Sequence, residues 1–207
     1  MNQPITVKDK QFILSISNSE IQKSIQKVAD QINRDYEGKE IFFIGVLNGV
    51  FMYAADLLKK ITVPCQISFT KVASYEGTHS TGTIKQLIGM PEGIEGRHVV
   101  ILEDIVDTGF TMREILKQMQ AHNPADVKIA TLLFKPNSFK ESYNVDYRAM
   151  EIPNAFIVGY GLDYDGYGRN LPDIYTVVNW KLKIENWKLK IENWKLKIEN
   201  WKLKIKN

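Results

Sequence analysis

The chain has 207 residues, 44% hydrophobic and 25% charged, a balance that excludes a disordered protein and leaves ample length for a buried core. Thirteen Gly, seven Pro and a single Cys, Cys65, exclude collagen-like and disulfide-framed classes, and no Cys/His cluster has zinc-ligand spacing. Of 27 basic and 24 acidic residues, nine Lys and three Glu follow Asn179, so the preceding part carries 18 basic and 21 acidic residues, a net charge of −3 behind the formal +3.

That acidic balance gives no reason to expect a nucleic-acid partner for the body of the chain. Residues 1–12 contain charges and Pro4 where a signal peptide needs an apolar run. The longest apolar stretch, 41–58, is broken by Gly45, Asn48, Gly49 and Asp56, which suits a buried strand, turn and helix rather than a membrane span. A cytoplasmic protein without a membrane partner is expected.

In chain order, Ser17-Asn18-Ser19-Glu20 has capping-box spacing, and Ile21, Ile25, Val28, Ala29 and Ile32 continue it at helical intervals up to Gly38. Residues 40–46 read as a buried strand, Asn48-Gly49 as a turn, and Phe51 to Leu58 as a helix. A strand follows around 66–72, then the polar segment 74–83, which has no core face and reads as a mobile loop. Residues 84–89 suit a returning strand, 98–102 a buried strand, 111–120 a helix, and 127–134 and 155–160 two further strands. Strands alternating with helices predict right-handed βαβ units and a parallel sheet, whose ligands bind where strands end and loops begin.

The most informative stretch runs from Val99 to Thr111. Four apolar residues make a strand, the neighbouring acids Glu103 and Asp104 stand at its end, and Asp107-Thr108-Gly109 leads through Phe110 and Thr111 into a helix. A helix start offers free backbone N–H groups, partial positive charge and here the hydroxyls of Thr108 and Thr111, a combination that holds a phosphate. Two adjacent carboxylates can accept hydrogen bonds from a vicinal diol such as a ribose. The bland alternative, a solvated strand end followed by an Asp N-cap, accounts for an isolated Asp-Thr-Gly but poorly for the whole run. Neither GxxxxGK[ST] nor a strand-coupled GxGxxG is present.

Val99 to Thr111 resembles the phosphoribosyl-diphosphate-binding motif of the type I phosphoribosyltransferases. The wider pattern, over roughly residues 8–178, is similar to the hypoxanthine (hypoxanthine-guanine) members of that family. The resemblance implies an α/β fold with a central parallel twisted sheet flanked by helices and a small hood over the active site. It implies transfer of 5-phosphoribosyl from 5-phospho-α-D-ribose 1-diphosphate to N9 of a 6-oxopurine, with Mg²⁺ as cofactor, in purine salvage. Glu103 and Asp104 would bind the ribose hydroxyls and, with Asp163, a metal. Asp107 would face N7 of the purine as the catalytic group, and Thr108, Gly109, Phe110 and Thr111 would wrap the 5′-phosphate.

The resemblance extends to four more segments. Leu47-Asn48-Gly49 is similar to the family's diphosphate-binding turn, and Arg169 would join it on the diphosphate. Ser74-Tyr75, opening the polar loop, is similar to the flexible lid. Lys135 matches the lysine that donates to the purine O6; an ammonium has donors only, so it accepts a 6-oxo group and rejects a 6-amino group. Phe156 would stack on the purine, the Ile157 backbone would read the base edge, and Asp163 lies at the purine end of the same match. By residue type alone Phe156 would be core. A xanthine-preferring enzyme of the same architecture and a regulatory relative remain alternatives, and a homodimer or homotetramer is expected.

From Trp180 the heptapeptide Trp-Lys-Leu-Lys-Ile-Glu-Asn occurs three times and begins a fourth, and it holds all four Trp. It lies outside the resemblance, so the domain is read as residues 1–178 and the tail as 179–207. As helix the repeat has no single apolar face, whereas as strand it alternates cleanly. Identical copies point to a recent tandem duplication with an incidental role, open to edge pairing through exposed Trp.

Overall fold

A computed structural model of the chain describes residues 3–74 and 84–178, together with Lys195. Tyr75, expected with Ser74 in a lid, lies outside the described residues, as do the rest of the polar loop to 83 and the repeat tail; Ser74 is the last residue of its strand.

Helix α1 spans Asn18–Asp35. At its start the Ser17 backbone N–H donates to the Glu20 carboxylate at 2.9 Å and the Ser17 hydroxyl to the same oxygen at 2.5 Å. The residues at helical intervals, Ile21, Ile25, Val28, Ala29 and Ile32, are all buried. The main sheet has six strands: β3 (Ile41–Leu47), β4 (Cys65–Ser74), β5 (Ile84–Ile88), β6 (His98–Val106), β7 (Asp126–Phe134) and β8 (Tyr147–Glu151). Their order is β5-β4-β3-β6-β7-β8, parallel throughout except for β5, which returns antiparallel along β4.

Alternate residues serve the two faces, as the pleat requires. Ile41 and Phe43 pack with Val100 and Leu102 beneath α1 and α2 (Phe51–Leu58). Phe42, Ile44 and Val46 pack with Val99 and Ile101 against Met112, Ile115 and Met119 of α3 (Phe110–Gln120). With both faces covered, β3 and the first half of β6 read as unbroken apolar runs.

A second, antiparallel sheet forms the hood from both ends of the domain. Its strands are β1 (Ile5–Val7), β2 (Lys10–Ile16), β9 (Ile157–Val158) and β10 (Ile174–Val177), in the order β1-β2-β10-β9 around Val7, Phe12 and Val158.

Three expectations are corrected. First, β6 does not stop before the acids but runs through Glu103 and Asp104 to Val106, the pairing with β7 outweighing the break in hydrophobicity. Second, the strand expected over 155–160 is only Ile157–Val158 and belongs to the hood. Gly159, at φ +107°, ends it where a Cβ would lie 2.0 Å from the Asp173 carbonyl. Third, the place beyond β7 is filled by Tyr147–Glu151, reached without an intervening helix and lacking an apolar run because it is an edge strand. Among the described residues no helix is long and apolar enough to cross a membrane.

Candidate active site

Parallel pairing of β6 with β7 sets Val106 opposite Phe134, so the residues that follow each strand come together at one end of the sheet. The Lys135 backbone N–H donates to the Val106 carbonyl at 3.0 Å, and Lys135 Nζ reaches Asp107 Oδ2 at 2.6 Å. Lys135 is buried at 7% exposure, whereas the Asp107 side chain is 43% exposed, so the pair opens to solvent on the aspartate side. Lys135 and Asp107, expected at the neighbouring O6 and N7 of a purine, are in contact with each other.

Gly109, at φ +86°, is the N-cap of α3. Gly109 has no side chain to cap this helix, and beyond a 3.4 Å contact of the Phe110 amide with Thr108 Oγ1 no cap bond to the first turn is formed among the described residues, so its amides can meet a ligand. A cavity of about 100 Å³ lies against these groups, lined by Glu103, Asp107, Thr108, Gly109, Phe110 and Thr111 among others. Asp107 is therefore not the N-cap of the bland reading.

The acid pair is half-buried. Burial, then the Asp104 charge, pushes the Glu103 carboxyl well above the ordinary carboxylate range, and Glu103 Oε2 is buried without a hydrogen-bond partner. Burial also raises Asp104, opposed by its hydrogen bonds with Glu103 and the Ile105 amide (2.8 Å) and by the charge of Arg169. Two carboxyl groups short of positive charge, one with an orphan oxygen, fit a hard divalent cation that takes its remaining ligands from substrate oxygens and water. Among the described residues no three His, Cys, Asp or Glu side chains gather as a ligand cluster. Of the expected set Glu103, Asp104 and Asp163, the last pairs with Arg169 at 2.7 Å and accepts the Gly166 amide at 2.6 Å.

The turn after β3, Leu47-Asn48-Gly49, begins with a cis Leu47–Asn48 peptide and lies between the acid pair and a glycine from the far end of the domain. A Cβ on Gly49 would stand 1.5 Å from Asp104 Oδ2, and a Cβ on Gly161, at φ +97°, would stand 2.0 Å from the Gly49 carbonyl. Only glycine at both positions permits this approach. Arg169 Nη1 donates to the Gly161 carbonyl at 2.8 Å, so the guanidinium expected on diphosphate is held beside the turn by Asp163 and Gly161.

Phe156 is neither in a strand nor in the core: it is 46% exposed, while its neighbour Ile157 is buried. Lys10 Nζ lies 5.5 Å from its ring centroid and 3.9 Å from that of Tyr164, which stands edge-on to Phe156.

Sequence reasoning missed the wall behind the phosphate loop. Lys140 donates its amide to the Thr108 carbonyl at 3.2 Å and the Tyr143 hydroxyl donates to the Gly109 carbonyl at 2.7 Å. Phe139, Tyr143 and Glu141 fill the space a Gly109 Cβ would need. The available signal was two aromatics, 139 and 143, in an otherwise polar connection.

Residues 16–165 match the family described as Phosphoribosyl transferase domain. The chain belongs to the phosphoribosyltransferases. Hypoxanthine-guanine phosphoribosyltransferase of Streptococcus pneumoniae is 41% identical over 160 residues, covering 77% of this chain and 89% of the relative. A crystal structure of a hypoxanthine-guanine phosphoribosyltransferase from Bacillus anthracis is 40% identical with a TM-score of 0.77, covering 80% of this chain and 98% of that one. Hypoxanthine phosphoribosyltransferase of Trypanosoma cruzi in complex with its product IMP is 36% identical with a TM-score of 0.76, covering 84% and 98%. Within the family the chain is a transferase of the hypoxanthine-guanine group, whose work is purine salvage.

Proposed function

We propose that this chain transfers 5-phosphoribosyl from its 1-diphosphate to N9 of hypoxanthine and guanine, forming IMP or GMP and diphosphate. The observation that carries the reading is the meeting of five groups at one end of β6 and β7: Glu103, Asp104, Asp107, the open amides of α3 and Lys135.

The acid pair receives the ribose diol, and the amides and hydroxyls from Thr108 to Thr111 receive the 5′-phosphate. Leu47, Asn48 and Gly49 bind the diphosphate, with Arg169 held beside them by Asp163. Lys135 donates to the purine O6, Asp107 takes or stabilises the N7 proton as the ring gains positive charge, Phe156 stacks on the base, and the Ile157 backbone reads its edge. Glu103, Asp104 and Asp163 would hold Mg²⁺ together with substrate oxygens, and its charge would offset that of the departing diphosphate. The protein acts by orientation and charge, with no covalent intermediate on a side chain. Residues 1–178 make up the catalytic unit, which we take to work in the cytoplasm as a homodimer or homotetramer.

The test is a spectrophotometric assay of purified protein with phosphoribosyl diphosphate, Mg²⁺ and each of hypoxanthine, guanine, xanthine and adenine. Turnover of the first two is expected, and preference for xanthine or adenine would overturn the assignment.

A further inference from the structure

A trans peptide is planar, with its C=O and the following N–H pointing in opposite directions, so whatever holds a carbonyl aims the next amide. Two successive carbonyls of the phosphate loop are held by one segment. The Thr108 carbonyl accepts the Lys140 amide at 3.2 Å, and the Gly109 carbonyl accepts the Tyr143 hydroxyl at 2.7 Å. Both bonds draw the carbonyls toward residues 139–143, which turns the Gly109 and Phe110 amides the opposite way, the side of the cavity that both residues line. Among the described residues the Phe110 amide is otherwise met by a 3.4 Å contact to Thr108 Oγ1.

The segment making these bonds is itself braced. The Ser138 and Phe139 amides each donate to the Lys135 carbonyl at 3.1 Å, and the Phe139 ring packs edge-on between Phe134 and Tyr143 at 5.2 and 5.3 Å. Arg113 of α3 pairs with Glu141 at 3.0 Å. The Gly109 carbonyl also accepts the Arg113 amide at 3.0 Å, as the first bond of the helix, so the Tyr143 hydroxyl is a second donor on an acceptor with two lone pairs. Helix formation alone does not require that second bond.

We propose that Tyr143 is a positioning residue for the 5′-phosphate, its hydroxyl orienting the Gly109–Phe110 peptide so that the Phe110 amide faces the phosphate. The inference rests on the phosphate-loop reading above. Tyr143→Phe removes the donor and keeps the ring against Phe139. The affinity ratio of guanosine 5′-monophosphate to guanosine, measured by calorimetry, isolates the phosphate contribution from that of purine and ribose.

In the wild type the monophosphate is expected to bind more tightly than the nucleoside, and in Y143F this ratio falls about threefold to tenfold while guanosine affinity stays the same. An unchanged ratio in Y143F would overturn the role of Tyr143. A wild-type protein that does not distinguish monophosphate from nucleoside would overturn the phosphate-loop reading instead. Loss of guanosine binding together with the monophosphate would mark Tyr143 as merely structural. A second measurement needs no variant: titrating inorganic phosphate into ¹⁵N-labelled wild-type protein is expected to move the Phe110 amide resonance, and a stationary resonance would overturn the proposal.

Discussion

Lys135 Nζ sits 2.6 Å from Asp107 Oδ2, joining the residues that follow two neighbouring parallel strands. Each is the other's partner in the free protein, so a purine that engages both must open this contact and replace it with one bond to O6 and one at N7. The exchange keeps a buried ammonium paired in both states, which avoids the cost of leaving it alone.

Replacing Asp107 with Asn is expected to lower kcat about a hundredfold, within the range of a general acid–base group, with little change in KM for either substrate. Steady-state kinetics with hypoxanthine check this, and unchanged turnover would remove Asp107 from the chemistry.

Lys135→Ala is expected to lower kcat/KM for hypoxanthine by at least about tenfold, because a charge-assisted hydrogen bond is worth about 1.5–3 kcal/mol. The discrimination against adenine should shrink in the same measurement. A constant ratio of the two kcat/KM values would take Lys135 out of base recognition.

Glu103 carries a pH dependence whose sign follows from its burial. Its carboxyl is raised in the folded protein, so between its unfolded and folded pKa values the native state binds more protons than the unfolded chain. The destabilisation it causes is absent below the unfolded value of about 4.3, grows as pH rises above it, and is complete above the folded value. Glu103→Gln is therefore expected to raise the Tm of the ligand-free protein at neutral pH, by about 2–4 °C for each kcal/mol recovered, while lowering activity. Melting curves across pH should show the gain shrinking toward acid pH; a loss of stability at neutral pH would contradict the account.

Gly161→Ala would drive a Cβ against the Gly49 carbonyl, 2.0 Å away, from a backbone at φ +97°. A cost of about 2–4 kcal/mol in urea unfolding is expected from left-handed strain together with the overlap. Because the strain falls on the turn proposed to bind diphosphate, KM for phosphoribosyl diphosphate should rise more than KM for the purine.

Truncation after Val178 is expected to leave activity intact. The Val178 amide donates to the Gln11 carbonyl at 2.8 Å, so the hood is paired up to the last residue before the tail. Loss of turnover on truncation would give the tail a role that its composition does not suggest.

The residues of α1, the apolar runs of β3 and β6 and the turn from β6 into α3 were legible because their signals are local: a cap, a period, a glycine between a strand and a helix. Where the local signal misled, tertiary pairing was responsible. Glu103 and Asp104 look like a strand end, yet β7 carries the ladder past them to Val106. Tyr147–Glu151 has no apolar run, yet it takes the sheet edge because β7 offers a free row of backbone groups.

From the sequence alone came the fold class, the family resemblance and the identity of most candidate site residues, since these depend on residue type and spacing along the chain. Only the folded chain decided that Asp107 meets Lys135, that Asp163 holds Arg169, that Gly161 presses on the Gly49 carbonyl, and that Tyr143 bonds the Gly109 carbonyl. Each is a contact between segments far apart in the chain, set by strand register and backbone approach, and no periodicity or motif within either segment encodes its partner.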